Sequence, residues 1–599
     1  MQPIHKLVEV LSDRGQRGLC LERVYRHICR EDLLIEAYAK IGKNDGATTR
    51  GIDGETVDGM SRDKIRHIAQ VLRDGDWVWK PVRRLHIPKK RGGTRPLGIP
   101  SWSDKLVQQM IKFILELYYE PQFSSLSCGF RSGLGCHDAL HKVSRWNGTR
   151  WFIEGDISKC FDTIDHEVLL SILGEKIHDN RFIKLIRTML QAGYLEDWVY
   201  GNSFSGTPQG GVCSPAFSNI YLDRLDKFVE RELLPRYNCG SERRWNPEWQ
   251  RLNNLINHHR DTLSATEYQE LVRQRRAVPS RDTQDPNYRR LHYVRYADDF
   301  LLGFAGPKAE AVEIKEQIRE FLSTTLKLTL SDSKTLITHA SQGKARFLGY
   351  EVQVMSSNTK VSPGKGGGLR RCVNGLVGLY VPRDVIEAKV REYSTGGKPY
   401  HKNALLYQSD FHIVSHYQAV YRGLVNYYRM AHNLASRFGK LRWVLETSMV
   451  RTLAGKHRCS CASLWKKHKV KVQTEHGPIN AFRVIVTRTD KTDLVTHFGG
   501  LSLKRQNFVP LEDRIVRVFS KSTDLIDRLD FDKCQLCGAE GVPLENHHIR
   551  RLAELKRKDG RETPQWKKIM MAMRRKTLTV CKPCHVAIHA GRHDGPALS

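Results

Sequence analysis

The sequence lacks the features of membrane and secreted proteins. It contains no run of about 18 consecutive apolar residues, the length that a membrane-spanning helix requires. The first 15 residues, MQPIHKLVEVLSDRG, lack the long apolar segment of a signal peptide. We therefore expect a soluble protein with no membrane partner, located in a bacterial cytoplasm or, as the alternative, in an organelle.

Acidic residues are scarce relative to basic ones. The chain of 599 residues has 65 aspartates and glutamates against 97 lysines and arginines, a formal net charge of +32. A basic surplus that is spread over the chain is typical of a nucleic-acid-binding protein. The hydrophobic content of 40% excludes a disordered basic tail and is enough for folded cores. The length allows about four domains of ordinary size.

Most cysteines have no partner at a diagnostic spacing. Ten of the 14 are scattered, which predicts free thiols in a reducing compartment. The other four form two C-x₂-C pairs near the C-terminus, Cys534 with Cys537 and Cys581 with Cys584. Four thiolates at this spacing can close tetrahedrally around Zn²⁺. We predict a structural zinc site, with redox-active dithiols as the alternative.

A phosphate-binding P-loop is also missing. The Gly-rich segment GTPQGGVCSP, residues 206–215, has no lysine at the required place, which excludes an NTPase of that type. Glycines leave the backbone bare beside Gln209, and such a backbone suits close approach to a primer terminus or a nucleotide sugar.

The segment YVRYADDFLLGF, residues 293–304, predicts a buried β-hairpin with Asp298 and Asp299 at its tip. Two buried like charges need a cation nearby, and a divalent metal ion is the simplest one. A second apolar strand, WFIEGDI, contains Asp156. If the three carboxylates converge, they form the cluster that a two-metal phosphoryl transferase needs. The alternative is an ordinary Asp-Asp surface turn.

Seven segments resemble, in order, the fingers and palm of a group II intron-encoded reverse transcriptase. They cover roughly residues 80–350 and lie at residues 87–108, 129–140, 156–162, 206–215, 296–299, 328–335 and 347–350. The resemblance implies an Mg²⁺-dependent polymerase of deoxynucleoside triphosphates that uses Asp156, Asp298 and Asp299.

The resemblance also implies nucleotide-binding residues. Phe161 corresponds to the aromatic residue that blocks the 2′-hydroxyl and so selects deoxynucleotides; without the family it would be an ordinary core residue. Lys89 and Arg95 flank a tight basic hairpin, where they could hold a triphosphate or simply be solvated. Lys334 could protonate pyrophosphate or be a charge at a strand end. Gln209 is the remaining residue of this predicted nucleotide-binding set.

The C-terminal segments ENHHI and CHVAIH resemble the two ends of an HNH, or ββα-metal, endonuclease. His585 and His589 are four residues apart, so on a helix both can bind one metal ion. The resemblance makes His547 the third ligand and His548 the general base. The alternative is that these histidines belong to a zinc module. Between residues 561 and 580 there is no Asn, so the residue that orients the base is not predicted.

The remaining sequence predicts the other domains. Helical segments 416–433 and 448–460 resemble the maturase, or X, domain, in which Lys456, His457 and Arg458 are candidates for phosphate contacts to intron RNA and most tyrosines are expected to pack in the core. The predicted domains are residues 1–80 (N-terminal extension and start of the fingers), 81–360 (fingers and palm, with an Arg-rich insertion at 236–290 that is helical over 263–276), 361–460 (thumb/maturase), 461–530 (basic, DNA-binding) and 531–599 (HNH endonuclease). The insertion is either a solvated helical hairpin or an RNA-binding protrusion, and RNA contact is favoured.

We therefore expect a multidomain α+β protein: right-hand fingers and palm, a helical thumb and a small zinc-stapled ββα-metal domain. It would bind intron RNA, assist splicing, nick target DNA and copy the intron RNA into cDNA. A splicing-only maturase with vestigial catalytic domains is one alternative, against which Asp156, the YADD motif, the four paired cysteines and His548 argue. The other is an RNA-templated RNA polymerase, against which Phe161 and the nuclease argue.

Overall fold

Three hydrophobic cores organise the molecule, and the first two meet at a central antiparallel sheet. The computed structural model describes residues 3–89, 92–196, 199–201, 205–207, 210–357, 359–363, 369–488, 492–510, 524–555 and 563–593.

The N-terminal region is helical and contributes to the first core. Its elements are α1 (Ile4–Gln16), β1 (Leu21–Glu22), α2 (Tyr25–Ile28), α3 (Glu31–Ile41) and α4 (Arg62–Asp74). The sequence sets both ends of α4: the Ser61 side chain accepts from the Lys64 N–H, and Gly75 ends the helix with a left-handed φ of 87°.

The next region contains the central sheet and the helices that cover it. Its elements are β2 (Val82–Pro88), β3 (Thr94–Ile99), α5 (Trp102–Tyr119), α6 (Cys136–Val143), β4 (Trp151–Asp156), α7 (Cys160–Thr163), α8 (His166–Gly174), β5 (Ile177–His178), α9 (Asn180–Leu190), β6 (Tyr194–Glu196), β7 (Val199–Gly201), α10 (Ser214–Phe228), α11 (Leu234–Tyr237), α12 (Pro247–His258), α13 (Ala265–Ala277), β8 (Arg290–Tyr296), β9 (Asp299–Ala305), α14 (Lys308–Thr325), β10 (Ile337–His339), β11 (Ala345–Phe347) and β12 (Tyr350–Val354).

The central sheet has the strand order β10-β4-β9-β8. Because neighbouring residues of a strand point to opposite faces, Phe152 and Leu301 enter the second core, whereas Ile153 and Leu302 enter the first. Because both faces of the sheet are buried, these strands are nearly continuous runs of apolar residues. This burial also fixes the position of the acidic residues at the strand ends.

The insertion at residues 236–290 forms a pair of packed helices, α12 and α13. Helix α13 begins with a capping box in which Ser264 and Glu267 exchange hydrogen bonds. None of its residues is buried. The predicted helix in this insertion is therefore confirmed, and its exposed side chains are compatible with both a solvated hairpin and an RNA-binding protrusion.

The second core extends into the region after residue 360. Its elements are β13 (Val361–Pro363), β14 (Leu369–Arg371), β15 (Val377–Tyr380), α15 (Arg383–Glu392), β16 (Ser394–Thr395), β17 (Lys398–Pro399), α16 (Asp410–Tyr427), α17 (Leu434–His457), α18 (Cys461–His468), β18 (Lys469–Thr474), β19 (Gly477–Val486) and β20 (Leu494–Gly499). Strands β18, β19 and β20 form a sheet whose Phe482, Val484 and Phe498 share a core with Tyr417 and Tyr421. The predicted boundary between residues 460 and 461 thus falls inside one packed unit.

The C-terminal region has a small core of its own. It consists of α19 (Asp524–Asp527), β21 (Leu544–His548), α20 (Gln565–Ala572), β22 (Thr577–Cys581) and α21 (Lys582–His589). The antiparallel pair β21–β22 followed by α21 is the expected ββα arrangement. The predicted multidomain α+β fold is confirmed.

Candidate active sites and nucleic-acid contacts

Three carboxylates meet at one end of the central sheet. Asp156 ends β4 and pairs in register with Asp299, the first residue of β9. Asp298 lies in the turn between β8 and β9. Burial, and then the charges of Asp298 and Asp156, raise the pKa of Asp299 to about 7. A set of mutually repelling carboxylates of this kind suits a divalent cation.

A buried ion pair that no sequence motif indicates holds the turn that presents Asp298. Ala297 has a φ of 57°. Gly129 approaches so closely that a Cβ there would lie 2.1 Å from the Ala297 nitrogen. Arg295 donates to the Ala297 carbonyl at 2.8 Å and pairs with Asp226, with both side chains fully buried. Asp226 lies on α10, 69 residues before its partner.

Lys334 contacts the carboxylate cluster directly. Its Nζ donates to both carboxylate oxygens of Asp156, at 2.9 and 3.1 Å. The side chain is still 66% exposed. The ammonium group therefore neutralises one of the three carboxylates and stays accessible from solvent.

Phe161 lies beside the Gly-rich segment. Its carbonyl oxygen accepts from the Thr207 N–H at 2.7 Å. Gly206 has a φ of 88°, and a Cβ there would lie 2.7 Å from the Asp162 carbonyl oxygen, so only glycine permits this backbone approach. The ring of Phe161 packs edge-on against Phe130, with 6.0 Å between centroids.

Lys89 and Arg95 lie at the β2–β3 hairpin, and both are exposed. Their charges oppose the rise that burial imposes on the pKa of Asp162. Burial also raises the pKa of Asp298, and the charge of Arg95 opposes that rise. Arg95 therefore belongs to the electrostatic environment of the carboxylate cluster, whereas the charge of Lys89 acts on Asp162. Gln209 lies outside the described residues.

The four paired cysteines converge in the C-terminal region. The Sγ atoms of Cys534, Cys537, Cys581 and Cys584 all lie within 4.8 Å of one another. Burial alone would raise the pKa of Cys534, but hydrogen bonds from neighbouring backbone N–H groups lower it to about 6. A thiolate is therefore favoured at neutral pH, and the cluster is compatible with zinc.

The three predicted histidine ligands also converge. His585 and His589 approach to 3.2 Å between their Nε2 atoms, and the ring centroid of His547 lies 5.3 Å from that of His585. The Nδ1 of His585 bonds a Glu545 carboxylate oxygen at 2.7 Å, so a metal ion would bind at Nε2 in place of its proton. Burial disfavours the charged imidazole, yet Asp58 and Glu545 raise the pKa of His585 to about 9.

His548 is buried next to this cluster, and burial lowers its pKa to about 4. Its Nδ1 lies 3.0 Å from the Asn546 carbonyl oxygen. Because a carbonyl oxygen only accepts, Nδ1 carries the proton and Nε2 keeps its lone pair, as a general base requires. The main chain of Asn546 thus orients the imidazole, although the sequence lacks an Asn at the expected position. The side-chain amide oxygen of Asn546 in turn accepts from the Thr579 hydroxyl at 2.8 Å.

Asp58 joins the histidines from the N-terminal region. Its carboxylate Oδ1 lies 3.1 Å from His585 Nε2, and its Oδ2 lies 2.7 Å from His589 Nε2. With His547 these residues form a second group of potential metal ligands within 4.8 Å of one another. No sequence pattern marks this residue, since Asp58 precedes His548 by 490 positions in a loop of ordinary composition.

The three basic candidates for RNA contact differ in their surroundings. Lys456 and His457 both bind Asp410, with N···O distances of 2.6 and 2.7 Å. Arg458 ends α17 in the left-handed conformation and is exposed, and it has no ion pair among the described residues. Tyr417 and Tyr421 are fully buried, which confirms that tyrosines of this region serve packing.

None of the helices among the described residues is long and apolar enough to cross a membrane.

Three segments match known protein families. Residues 87–352 match the family described as reverse transcriptase (RNA-dependent DNA polymerase). Residues 383–505 match type II intron maturase, a match that continues through the sheet β18–β20. Residues 534–585 match the AI2M/AI1M-like HNH endonuclease family.

Similar proteins extend over nearly the whole chain. The group II intron-encoded protein LtrA of Lactococcus lactis subsp. cremoris is 36% identical over 609 residues, which cover 98% of this chain and 99% of LtrA. The putative COX1/OXI3 intron 2 protein of Saccharomyces cerevisiae is 32% identical over 99% of this chain and 69% of its own length. An uncharacterized 91 kDa protein in a cob intron of Schizosaccharomyces pombe is 33% identical over 94% of this chain and 69% of its own length.

Proposed function

Because the chain belongs to the group II intron-encoded proteins, with reverse transcriptase, type II intron maturase and HNH endonuclease domains, we propose that all three domains serve the mobility of one intron. The protein binds the intron RNA and promotes its splicing. The nuclease then cuts one strand of target DNA, and the freed 3′-hydroxyl primes cDNA synthesis from deoxynucleoside triphosphates. The bacterial cytoplasm is the proposed location, with an organelle as the alternative.

The pairing of Asp156 with Asp299 carries the polymerase assignment. Together with Asp298 they supply only oxygen donors, the ligand type that Mg²⁺ prefers, at the end of rigid, buried strands. These three residues would hold two Mg²⁺ ions. When bound, the ions supply activation of the attacking 3′-hydroxyl and stabilisation of the leaving pyrophosphate.

The remaining polymerase roles fall to residues around the carboxylates. Lys89 and Arg95 would bind the triphosphate by charge-assisted hydrogen bonds. Phe161 would exclude the 2′-hydroxyl, and Gln209 would contact the sugar or the primer end. Lys334, which already reaches Asp156, would deliver a proton to pyrophosphate.

The nuclease assignment is supported by the convergence of the histidines. His547, His585 and His589 would hold a divalent ion, which when bound supplies polarisation of the scissile phosphate. His548 would take the proton of the attacking water at Nε2. A zinc ion bound by the four cysteines would join the two ends of the domain.

The discrimination between nucleotides tests the polymerase against its alternatives. The purified chain is expected to extend a DNA primer on an RNA template with deoxynucleotides and not with ribonucleotides. Phe161→Ala should admit ribonucleotides about tenfold more efficiently or better, because it opens space for the 2′-hydroxyl, whereas Phe161→Tyr keeps the ring and serves as the control. Equal use of both nucleotides by the wild type would favour an RNA polymerase, and no extension with either would favour a splicing-only maturase.

A further inference from the structure

A short N-terminal segment around Gly59 and Met60 pairs with the edge of the β21–β22 hairpin in the nuclease region. The Gly59 N–H donates to the Asn546 carbonyl at 3.0 Å, and the Asn546 N–H donates to the Met60 carbonyl at 2.9 Å. Val57 and Met60 are fully buried on either side of Asp58. The segment is therefore held in a fixed register against β21, the strand that carries His547 and His548.

This register directs the Asp58 carboxylate into the histidine cluster. Besides its contacts to His585 and His589, it accepts from the His548 backbone N–H at 2.7 Å and lies 3.4 Å from His547 Nδ1. The carboxylate thus takes part in the same ligand group as the three histidines.

His547 gives an independent indication that a ligand belongs here. Its side chain is only 5% exposed. Its Nδ1 faces Asp58 at 3.4 Å without hydrogen-bond geometry, and its Nε2 has no hydrogen-bond partner among the described residues. A buried imidazole nitrogen without a partner is costly. A metal ion bound between His547, His585, His589 and Asp58 would satisfy it.

The same N-terminal region also covers the general base. The Tyr38 hydroxyl lies 3.3 Å from His548 Nε2, the atom that would accept a proton from water. An ion pair between Arg62 and Asp530 and the burial of Leu525 in the first core attach the nuclease region at two further points. Access of DNA to His548 therefore requires the N-terminal region to move away.

We propose that Asp58 is a fourth ligand of the nuclease metal ion, supplied by the N-terminal region, and that its carboxylate takes the position at which a DNA phosphate must bind for cleavage. The docked form then holds its metal ion but does not cut. Target DNA, whose phosphate carries the same negative charge, replaces Asp58 as the segment leaves the hairpin. This inference rests on the proposed nuclease function of His548 and its neighbours.

Metal affinity tests the ligand assignment without reference to activity. Mn²⁺ is titrated into zinc-loaded, full-length protein that carries Asp298→Ala to weaken the polymerase site, and free Mn²⁺ is followed by electron paramagnetic resonance. Asp58→Ala should weaken binding about tenfold or more. Asp63→Ala is the matched control, because Asp63 is 72% exposed and pairs only with Arg66 among the described residues. Retained zinc in both variants reports that the nuclease region is folded.

Nicking of a short DNA duplex without intron RNA tests whether docked Asp58 blocks cleavage. At saturating Mn²⁺, Asp58→Ala should nick several-fold faster than Asp63→Ala, and the double variant Asp58→Ala with His548→Ala should not nick. Unchanged Mn²⁺ affinity in Asp58→Ala would overturn the ligand assignment, and an unchanged or lower nicking rate would overturn the block. If the double variant nicked as fast as Asp58→Ala, the nuclease assignment of His548 would fail instead.

Discussion

His548 and Cys581 lie on neighbouring strands of one small domain but perform different tasks. We predict that His548→Ala eliminates nicking of target DNA, because a general base contributes about two to four powers of ten to hydrolysis. Zinc content and extension from an annealed primer should stay at the wild-type level. Normal nicking by this variant would remove His548 from the mechanism.

Cys581→Ser should give a contrasting result. Loss of one thiolate should release zinc and unfold the C-terminal domain, because binding of a structural metal ion is coupled to folding. Nicking is then lost together with zinc, whereas His548→Ala loses nicking alone. Full zinc content in Cys581→Ser would contradict the four-cysteine site.

Sequence patterns identify residues whose partners are close in the chain or whose motif is distinctive. Asp298 and Asp299 were predictable because the YADD hairpin is local, and Asp156 because it ends an apolar strand. Asp58 and Asp226 were not predictable, since each is an acid without a motif whose partner is brought near only by tertiary folding. The role of the Asn546 carbonyl was not predictable for another reason: every residue has a main-chain carbonyl, so the residue type does not indicate this contact.

At the scale of elements, the YADD hairpin depends on the buried pair of Arg295 and Asp226. We predict that Asp226→Ala lowers the free energy of unfolding by about 3–5 kcal/mol, because it leaves the Arg295 guanidinium buried without a counter-ion. Primer extension should fall as well, since Arg295 also holds the Ala297 carbonyl. Chemical denaturation and primer extension measure the two effects.

Asp332→Ala is the matched control for this prediction. Asp332 pairs with Arg319 but is 79% exposed, so its loss should change stability by no more than about 1 kcal/mol. Equal destabilisation by the two substitutions would show that burial of the Arg295 pair has no special importance.

Sequence patterns predicted some secondary-structure elements and missed others. The helical prediction for the insertion succeeded because α13 has its own capping box and strong helix-forming residues. The sheet β18–β20 was missed because β18 alternates lysines with valines, which gives a basic segment, and the apolar residues of β19 and β20 are buried by tertiary contacts with helices such as α16 and α18. Tertiary packing, rather than local pattern, stabilises this sheet.

At the scale of the whole molecule, the net charge of +32 governs association with RNA. We predict that affinity for intron RNA falls steeply with salt, because binding releases counter-ions from the phosphates. Arg458→Glu should reduce the slope of log K against log salt by about one for each phosphate that the variant no longer neutralises. Lys456→Glu should have the smaller effect, since Lys456 already binds Asp410. Filter binding across a salt series measures this, and unchanged slopes in both variants would exclude these residues from the RNA interface.

The whole molecule should cut DNA at one site and copy intron RNA from that cut at another. Target-primed cDNA synthesis by the ribonucleoprotein of this chain and its intron RNA tests both activities together. The wild type should yield cDNA joined to the nicked strand, Asp298→Ala should nick and splice without making cDNA, and His548→Ala should make cDNA only on DNA that is already nicked. Near wild-type cDNA from Asp298→Ala, or no extension of the nicked strand by the wild type, would show that the two sites do not act in this way.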